Sequence, residues 1–302
     1  MSITQGILRK VMLFLDMIKF PHTLFALPFA FMGAFLAEKG IPSSNKLFWL
    51  LMAMVGARSG AMAFNRWADQ ALDAKNPRTQ GWALPKGLVS PGEVKVFIIL
   101  SFALLAFSAY QLNPLAFKLS PLAIAIVTLY SFTKRFTSLS HLFLGLCLSL
   151  APLVAWIAIK GRIDFLPFPL GLAVLFWVAG FDILYSLQDM DFDRRMGLYS
   201  LPSRWGLNRS LIIARLFHLI TVLLLTSLIP IMGLGTIYAG GLLLGVSLLT
   251  YEHYLLYRHG LGRLDVAFFN VNGAFSLILL FFTLLDLLIP VPIHPALTTR
   301  PF

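Results

Sequence analysis

Uncharged apolar stretches of membrane-spanning length recur along this chain, and they restrict its fold before any single residue does. A helix needs about 20 consecutive apolar residues to cross the hydrocarbon. Such stretches lie at 20–37, 47–64, 95–112, 114–130, 139–159, 167–186, 210–230, 235–256 and 267–289. Hydrophobic residues make up 58% of the chain and charged residues only 12%, against about 25% charged in a soluble domain. The expected fold is an all-α integral membrane protein with nine transmembrane helices in a bundle, and its partner medium is the lipid bilayer. Only Gln111-Leu112-Asn113-Pro114 separates the third span from the fourth, which predicts a tight helical hairpin.

Within this apolar background two aspartate-rich stretches stand at helix ends. The first runs Asn65-Arg66-Trp67-Ala68-Asp69-Gln70-Ala71-Leu72-Asp73; the second runs from Asp182 through Tyr185, Gln188, Asp189 and Asp191 to Asp193. In a helix, residues four apart share a face, so Asn65, Asp69 and Asp73 line up, as do Tyr185, Asp189 and Asp193. Like charges stacked on one face repel, and nearby hydrocarbon adds a desolvation cost, so each face calls for a compensating cation. Mg²⁺ suits the task, because it takes one or two carboxylates and fills its shell with water and phosphate oxygens. A lone D-x-x-x-D is common at solvated helix ends, whereas two at a constant offset are not.

Each acidic stretch is followed by a basic segment and a Leu-Pro turn, Leu84-Pro85 and Leu201-Pro202. This points to an internal repeat within a single domain over 1–302, its halves meeting near residues 135 and 136. Both sets of carboxylates are then expected to face one cavity. Rimmed by Arg78 and by Lys134-Arg135, such acids suit a diphosphate, since metal joins carboxylate to phosphate while cations neutralise the remaining oxygens. Arg58 makes a separate case. A cation inside a span costs a few kcal/mol unless it faces a cavity or a partner, and no acid within the spans is an obvious mate. Sharing the helix face of Asn65 two turns deeper, it is expected to aim its guanidinium at an anionic group such as a ligand carboxylate.

The net charge of +11 would suggest nucleic acid in a soluble protein, but here its placement sets topology. Lys and Arg crowd alternate connections, with Arg9, Lys10 and Lys19 first, then Arg66 to Lys95, Lys134-Arg135, Arg194 to Arg209, and Arg258 with Arg263. By the positive-inside rule the N-terminus and both acidic stretches are expected to face the cytoplasm, and no nucleic-acid partner is implied. Asp16 and Lys19 interrupt the first apolar run, against a cleavable signal peptide. Residues 3–15 place Ile3, Ile7, Leu8, Val11, Met12 and Leu15 near one face, as in a short interfacial helix. Cys147 is alone within a span, which removes a disulfide or a cysteine metal site. The six histidines are scattered and are read mostly as polar groups satisfied at helix ends.

These residues resemble the UbiA family of membrane prenyltransferases, over nearly the whole chain. Asn65 to Asp73 followed by Asn76-Pro77-Arg78-Thr79 matches the family's first motif, and Asp182, Tyr185, Gln188, Asp189 and Asp193 match its second. The resemblance implies a nine-helix bundle, Mg²⁺ bridging the motifs to a polyprenyl diphosphate, and transfer of the polyprenyl group to a hydroxylated aromatic acid in ubiquinone or menaquinone biosynthesis. It implies catalytic and metal-holding roles for Asp69, Asp73, Asp189 and Asp193. Substrate contacts are implied for Asn65, Arg78, Asp182 and Tyr185, and for Arg58, Tyr130 and Lys134, which fall where the family pattern wants them. His22 joins the substrate set, because Lys19-Phe20-Pro21-His22-Thr23 is similar to the branch tied to bacterial menaquinone routes. The acceptor implied first is 4-hydroxybenzoate, with 1,4-dihydroxy-6-naphthoate as the alternative.

Trp82 departs from the pattern, standing where family members usually carry Arg. One diphosphate contact is then expected to be lost, or to be supplied by Arg78 or Lys86. The competing class is a membrane transporter with a cytoplasmic cation site, whose acids should lie near the bilayer midplane rather than at helix ends.

Overall fold

The computed structural model describes residues 3–18, 23–260, 266–291 and 293. Among them every regular element is helical. The helices are α1 (Ile3–Met17), α2 (Thr23–Glu38), α3 (Ser44–Ala68), α4 (Gln70–Asp73), α5 (Pro91–Leu112), α6 (Pro114–Thr133), α7 (Ser140–Lys160), α8 (Phe168–Ser186), α9 (Met190–Arg195), α10 (Leu201–Met232), α11 (Thr236–His259) and α12 (Asn272–Leu288). Among the described residues, seven candidate spans are long and apolar enough to cross a membrane. The expected span 20–37 begins outside the described residues, and its described part, α2, has 16 residues; the expected span 235–256 falls outside that set, since α11 carries Glu252 and His253 near its end.

The chain divides into two compact units, Met1–Thr23 with Trp49–Phe132, and Leu24–Phe48 with Thr133–Phe302. In the first unit, apolar burial gathers near the first acidic stretch. Met17 and Ile18 pack with Ala63, Ala83, Leu84, Val89, Val94 and Ile98, and Trp67 and Phe97 close over them. This cluster anchors the irregular segment 74–90 against α3 and α5, beside the first acidic stretch. Ser90 caps α5 through a reciprocal pair of bonds with Glu93, which also pairs with Lys10 of α1. The one-residue break at Asn113 turns α5 into α6, as the hairpin expectation required; Tyr110 and Phe117 meet edge to face across it. On α1, Leu8, Val11, Met12 and Leu15 are exposed together, the apolar face expected of an interfacial helix.

In the second unit α8 is the central helix, packed against α7 and α10 and buried along most of its length. Apolar side chains gain nothing from water exclusion between helices in lipid, so close backbone approach and polar contacts must do the work. Gly145 of α7 provides that approach, since a Cβ there would meet the Leu175 carbonyl oxygen at 2.2 Å. Trp177 donates its indole N–H to Asn272 at 2.9 Å, and Asn272 donates to Glu252 at 2.7 Å, so three helices are tied by polar bonds within an aromatic core of Phe29, Phe181 and Phe275. His218 and His253 meet at 3.0 Å in the same region. That pair corrects the expectation of scattered histidines: α10 and α11 bring together two rings that are far apart in sequence. Cys147 is half-buried and forms no disulfide among the described residues.

Candidate active site

The first acidic stretch keeps helical register through the junction of α3 and α4. Asp69 N–H donates to the Asn65 carbonyl at 2.9 Å and Asp73 N–H to the Asp69 carbonyl at 2.8 Å. Asn65, Asp69 and Asp73 therefore share a face as the spacing predicts, and the Asn65 amide donates to Asp69 Oδ2 at 3.0 Å. Arg66 pairs with Asp73 at 3.5 Å. Burial pushes the Asp73 carboxyl above its ordinary range, against the pull of the Arg66 guanidinium.

The Asn76-Pro77-Arg78-Thr79 segment folds back on this helix end. Asn76 Oδ1 accepts the Arg78 N–H at 2.9 Å, an Asx turn, and the Thr79 hydroxyl donates to the Asp73 carbonyl at 2.9 Å. Trp82 then lies beneath two guanidiniums, with Arg66 at 3.9 Å and Arg78 at 5.6 Å from its ring centroid. The residue that departs from the family pattern is thus a platform for two of the cations around it. Deeper on α3, Arg58 has a buried Nε without a hydrogen-bond partner, as does Arg66, and Tyr130 lies within electrostatic reach of Arg58.

The second stretch keeps the expected register from Asp189 to Asp193, with Asp189 at the N-cap of α9 as Asp69 is at that of α4, but not from Tyr185 to Asp189. α8 stops at Ser186, Leu187–Asp189 forms a 3₁₀ turn, and α9 begins at Met190. The Gln188 side chain donates to the Tyr185 carbonyl at 2.9 Å, a local competitor for the backbone that favours the tighter turn. Asp189 and Asp193 are both buried all the same. Lys134 Nζ lies 3.8 Å from Asp193 Oδ2, an oxygen with no hydrogen-bond donor. Asp182 meets His141 at 2.7 Å. Gly197, at φ 68°, ends α9 and lets Leu198 N–H reach the Asp193 carbonyl at 2.8 Å; Tyr199 N–H then bonds the Lys134 carbonyl at 2.7 Å. Leu201-Pro202 is not a turn, as its counterpart at 84–85 had suggested. It is the first turn of α10, where a missing proline N–H costs nothing, with Ser200 as cap.

The predicted set thus divides between the units. Arg58, Asn65, Asp69, Asp73, Arg78 and Tyr130 belong to the first, and Lys134, Asp182, Tyr185, Asp189 and Asp193 to the second. His22 lies outside the described residues. Among those described, no three His, Cys, Asp or Glu form a ready metal cage. A Mg²⁺ ion that completes its shell with water and phosphate needs no such cage, and buried carboxylates such as Asp193, with an oxygen left without a donor, have the right donor chemistry. Sequence reasoning missed Arg66, which it counted as a topology charge, and His141, which it counted among histidines at helix ends.

Fold and residues together define a membrane-embedded helical enzyme with acidic sets at its helix ends. The chain belongs to the UbiA prenyltransferase family, whose model matches residues 26–284, and it is a prenyltransferase. The 4-hydroxybenzoate octaprenyltransferase of Vibrio cholerae serotype O1 is 34% identical over 242 residues, which cover 78% of this chain and 83% of that one. A UbiA homolog from Aeropyrum pernix K1, solved in its apo form, is 33% identical with a TM-score of 0.81, covering 88% of this chain and 98% of its own. A UbiA homolog from Archaeoglobus fulgidus bound to GPP and Mg²⁺ shares the fold at a TM-score of 0.70 and 22% identity, covering 90% of this chain and 99% of its own.

Proposed function

We propose that this chain transfers a polyprenyl group from a polyprenyl diphosphate to the ring of an aromatic acid, 4-hydroxybenzoate, in respiratory quinone biosynthesis, and that it requires Mg²⁺. The observation that carries the reading is the Asn65–Asp69–Asp73 ladder interlocked with Arg66 and Arg78. Carboxylates for a metal and guanidiniums for phosphate oxygens stand there at one helix end. The acceptor is supported by the relatives that carry 4-hydroxybenzoate in their names and by the buried, unpartnered Arg58 Nε. Residues 1–302 act in this reading as one catalytic domain of nine spans, with an internal repeat and its acids on the cytoplasmic side of a bacterial inner membrane.

Mg²⁺, when bound, supplies positive charge to the leaving diphosphate. Asp69 and Asp73 in the first unit, and Asp189 and Asp193 in the second, would hold Mg²⁺, while Arg78 and Lys134 would neutralise phosphate oxygens. Asn65, Asp182, Tyr185 and Tyr130 orient the substrate, and His22 belongs to the same set. The allylic C–O bond breaks with its electron pair leaving on the diphosphate. The ring carbon ortho to the phenol forms the new C–C bond and releases its proton. Apolar helix walls keep water from the cationic allyl group.

The test is purified protein in detergent with radiolabelled polyprenyl diphosphate, Mg²⁺ and either 4-hydroxybenzoate or 1,4-dihydroxy-6-naphthoate. Product with the benzoate, lost on chelation of Mg²⁺, is expected. Product with the naphthoate alone overturns the acceptor, and undiminished product without Mg²⁺ overturns the metal.

A further inference from the structure

His141 stands in the first turn of α7 and is 1% exposed. Its Nδ1 lies 2.7 Å from Asp182 Oδ2, and its Nε2 lies 3.2 Å from the backbone nitrogen of Leu201. A peptide N–H can only donate, so Nε2 is the acceptor and carries no proton. The ring is then the Nδ1–H tautomer, and Nδ1 donates to Asp182. Leu201 is the first residue of α10, and its N–H is one of those a helix start leaves without an internal partner. One buried imidazole therefore satisfies two groups on two other elements.

Those elements also carry other members of the second acidic set. Leu198 N–H is held by the Asp193 carbonyl, Tyr199 N–H by the Lys134 carbonyl, and Leu201 N–H by His141. The segment after α9 is thus pinned in turn by Asp193, Lys134 and His141, and His141 passes the constraint on to Asp182. By engaging Oδ2 the ring also fixes the rotation of that carboxylate, so its second oxygen is presented in one direction.

We propose that His141 is a positioning residue for the prenyl diphosphate site: it holds Asp182 in its working orientation and locks it to the segment 198–201, which bonds the Asp193 and Lys134 carbonyls. The inference rests on the role given above to Asp182. It assigns no proton transfer to the ring, which serves as a neutral donor and acceptor on one rigid frame.

A glutamine amide also offers one N–H donor and one oxygen acceptor side by side, without charge or titration. His141→Gln should therefore keep the affinity of purified protein for prenyl diphosphate in Mg²⁺, measured by titration calorimetry without acceptor, within about threefold. His141→Leu, which fills the space but bonds to neither partner, should weaken it by about tenfold or more. The same Leu substitution made on top of Asp182→Ala should add little further loss. Thermal unfolding in detergent accompanies each measurement. If His141→Leu does not yield folded protein, His141→Asn, which is too short to meet both partners, takes its place with the same expectation. Unchanged affinity in His141→Leu, an equal loss with and without Asp182, or a His141→Gln as weak as His141→Leu would each overturn the proposal. An Asp182→Ala that binds normally overturns the role of Asp182 and the proposal with it, whereas an impaired Asp182→Ala beside a normal His141→Leu overturns the positioning role alone.

Discussion

Arg66 stacks on Trp82, its guanidinium carbon 3.9 Å from the ring centroid, and Arg78 approaches the same ring at 5.6 Å. From the sequence pattern, Trp82 is expected to weaken diphosphate binding by replacing an arginine. A cation over an indole gains about 0.5 to 2 kcal/mol, and here one ring serves two cations. Restoring arginine at this position would remove the platform and set a third positive charge against the other two. Trp82→Arg should therefore raise the KM for polyprenyl diphosphate by about 3- to 30-fold, while Trp82→Phe, which keeps a ring face, should stay near wild type. Steady-state kinetics at saturating acceptor check this; a KM lowered by Trp82→Arg would show that the absent contact outweighs the platform.

Both acidic sets should be indispensable. Asp69→Asn keeps an oxygen to accept from Asn65 and removes only the charge, so the helix end should survive while metal and diphosphate binding fail. Asp189→Asn makes the same cut in the second set. Each should lower transfer by about 100-fold or more at saturating Mg²⁺, the scale of losing one preorganised charge stabiliser, with unfolding temperature in detergent nearly unchanged. Near-normal turnover in either variant sinks the two-motif reading.

Stability should be sensitive where helices approach through glycine. A methyl at Gly145 would meet the Leu175 carbonyl oxygen at 2.2 Å, and backbone cannot move aside as a side chain can. Gly145→Ala should destabilise by about 1 to 3 kcal/mol, the usual cost of overpacking. Gly240→Ala, at a position with nothing within 4 Å, should be neutral or slightly stabilising. Thermal melts in one detergent compare the two; equal melting temperatures would mean that α7 and α8 can separate at no cost.

The contrast between the two acidic stretches shows what the sequence could carry. Spacing places Asn65, Asp69 and Asp73 on one face, because the bonds from Asp69 N–H to Asn65 and from Asp73 N–H to Asp69 keep the four-residue step although the helix is interrupted at Asp69. Spacing fails only between Tyr185 and Asp189, where Gln188 competes for the backbone and one turn tightens. The helical class and the Asn113 break were legible from apolar runs and a proline. The stacking of Arg66 on Trp82 was not, since it depends on how the irregular segment 74–90 folds back, which no periodicity encodes. His141 was hidden for the same reason: its partners, Asp182 and Leu201, lie on two other elements.

Arg58 tests the acceptor. Its Nε is buried without a hydrogen-bond partner, and a buried donor left unpaired is costly unless a ligand supplies the acceptor. If that ligand group is the carboxylate of 4-hydroxybenzoate, breaking the pair should cost about 2 to 5 kcal/mol, a discrimination well beyond tenfold. The wild-type protein should then use 4-hydroxybenzoate and reject phenol. Arg58→Ala should lose activity strongly on the acid and little on the decarboxylated analogue. Arg58→Lys should recover only part, because a point charge does not reproduce the planar fork of a guanidinium. Initial rates with each acceptor, at fixed polyprenyl diphosphate and Mg²⁺, give the comparison directly. Equal losses on both acceptors would assign Arg58 to the diphosphate or to the fold, and would leave the preference for an aromatic acid resting on the relatives alone.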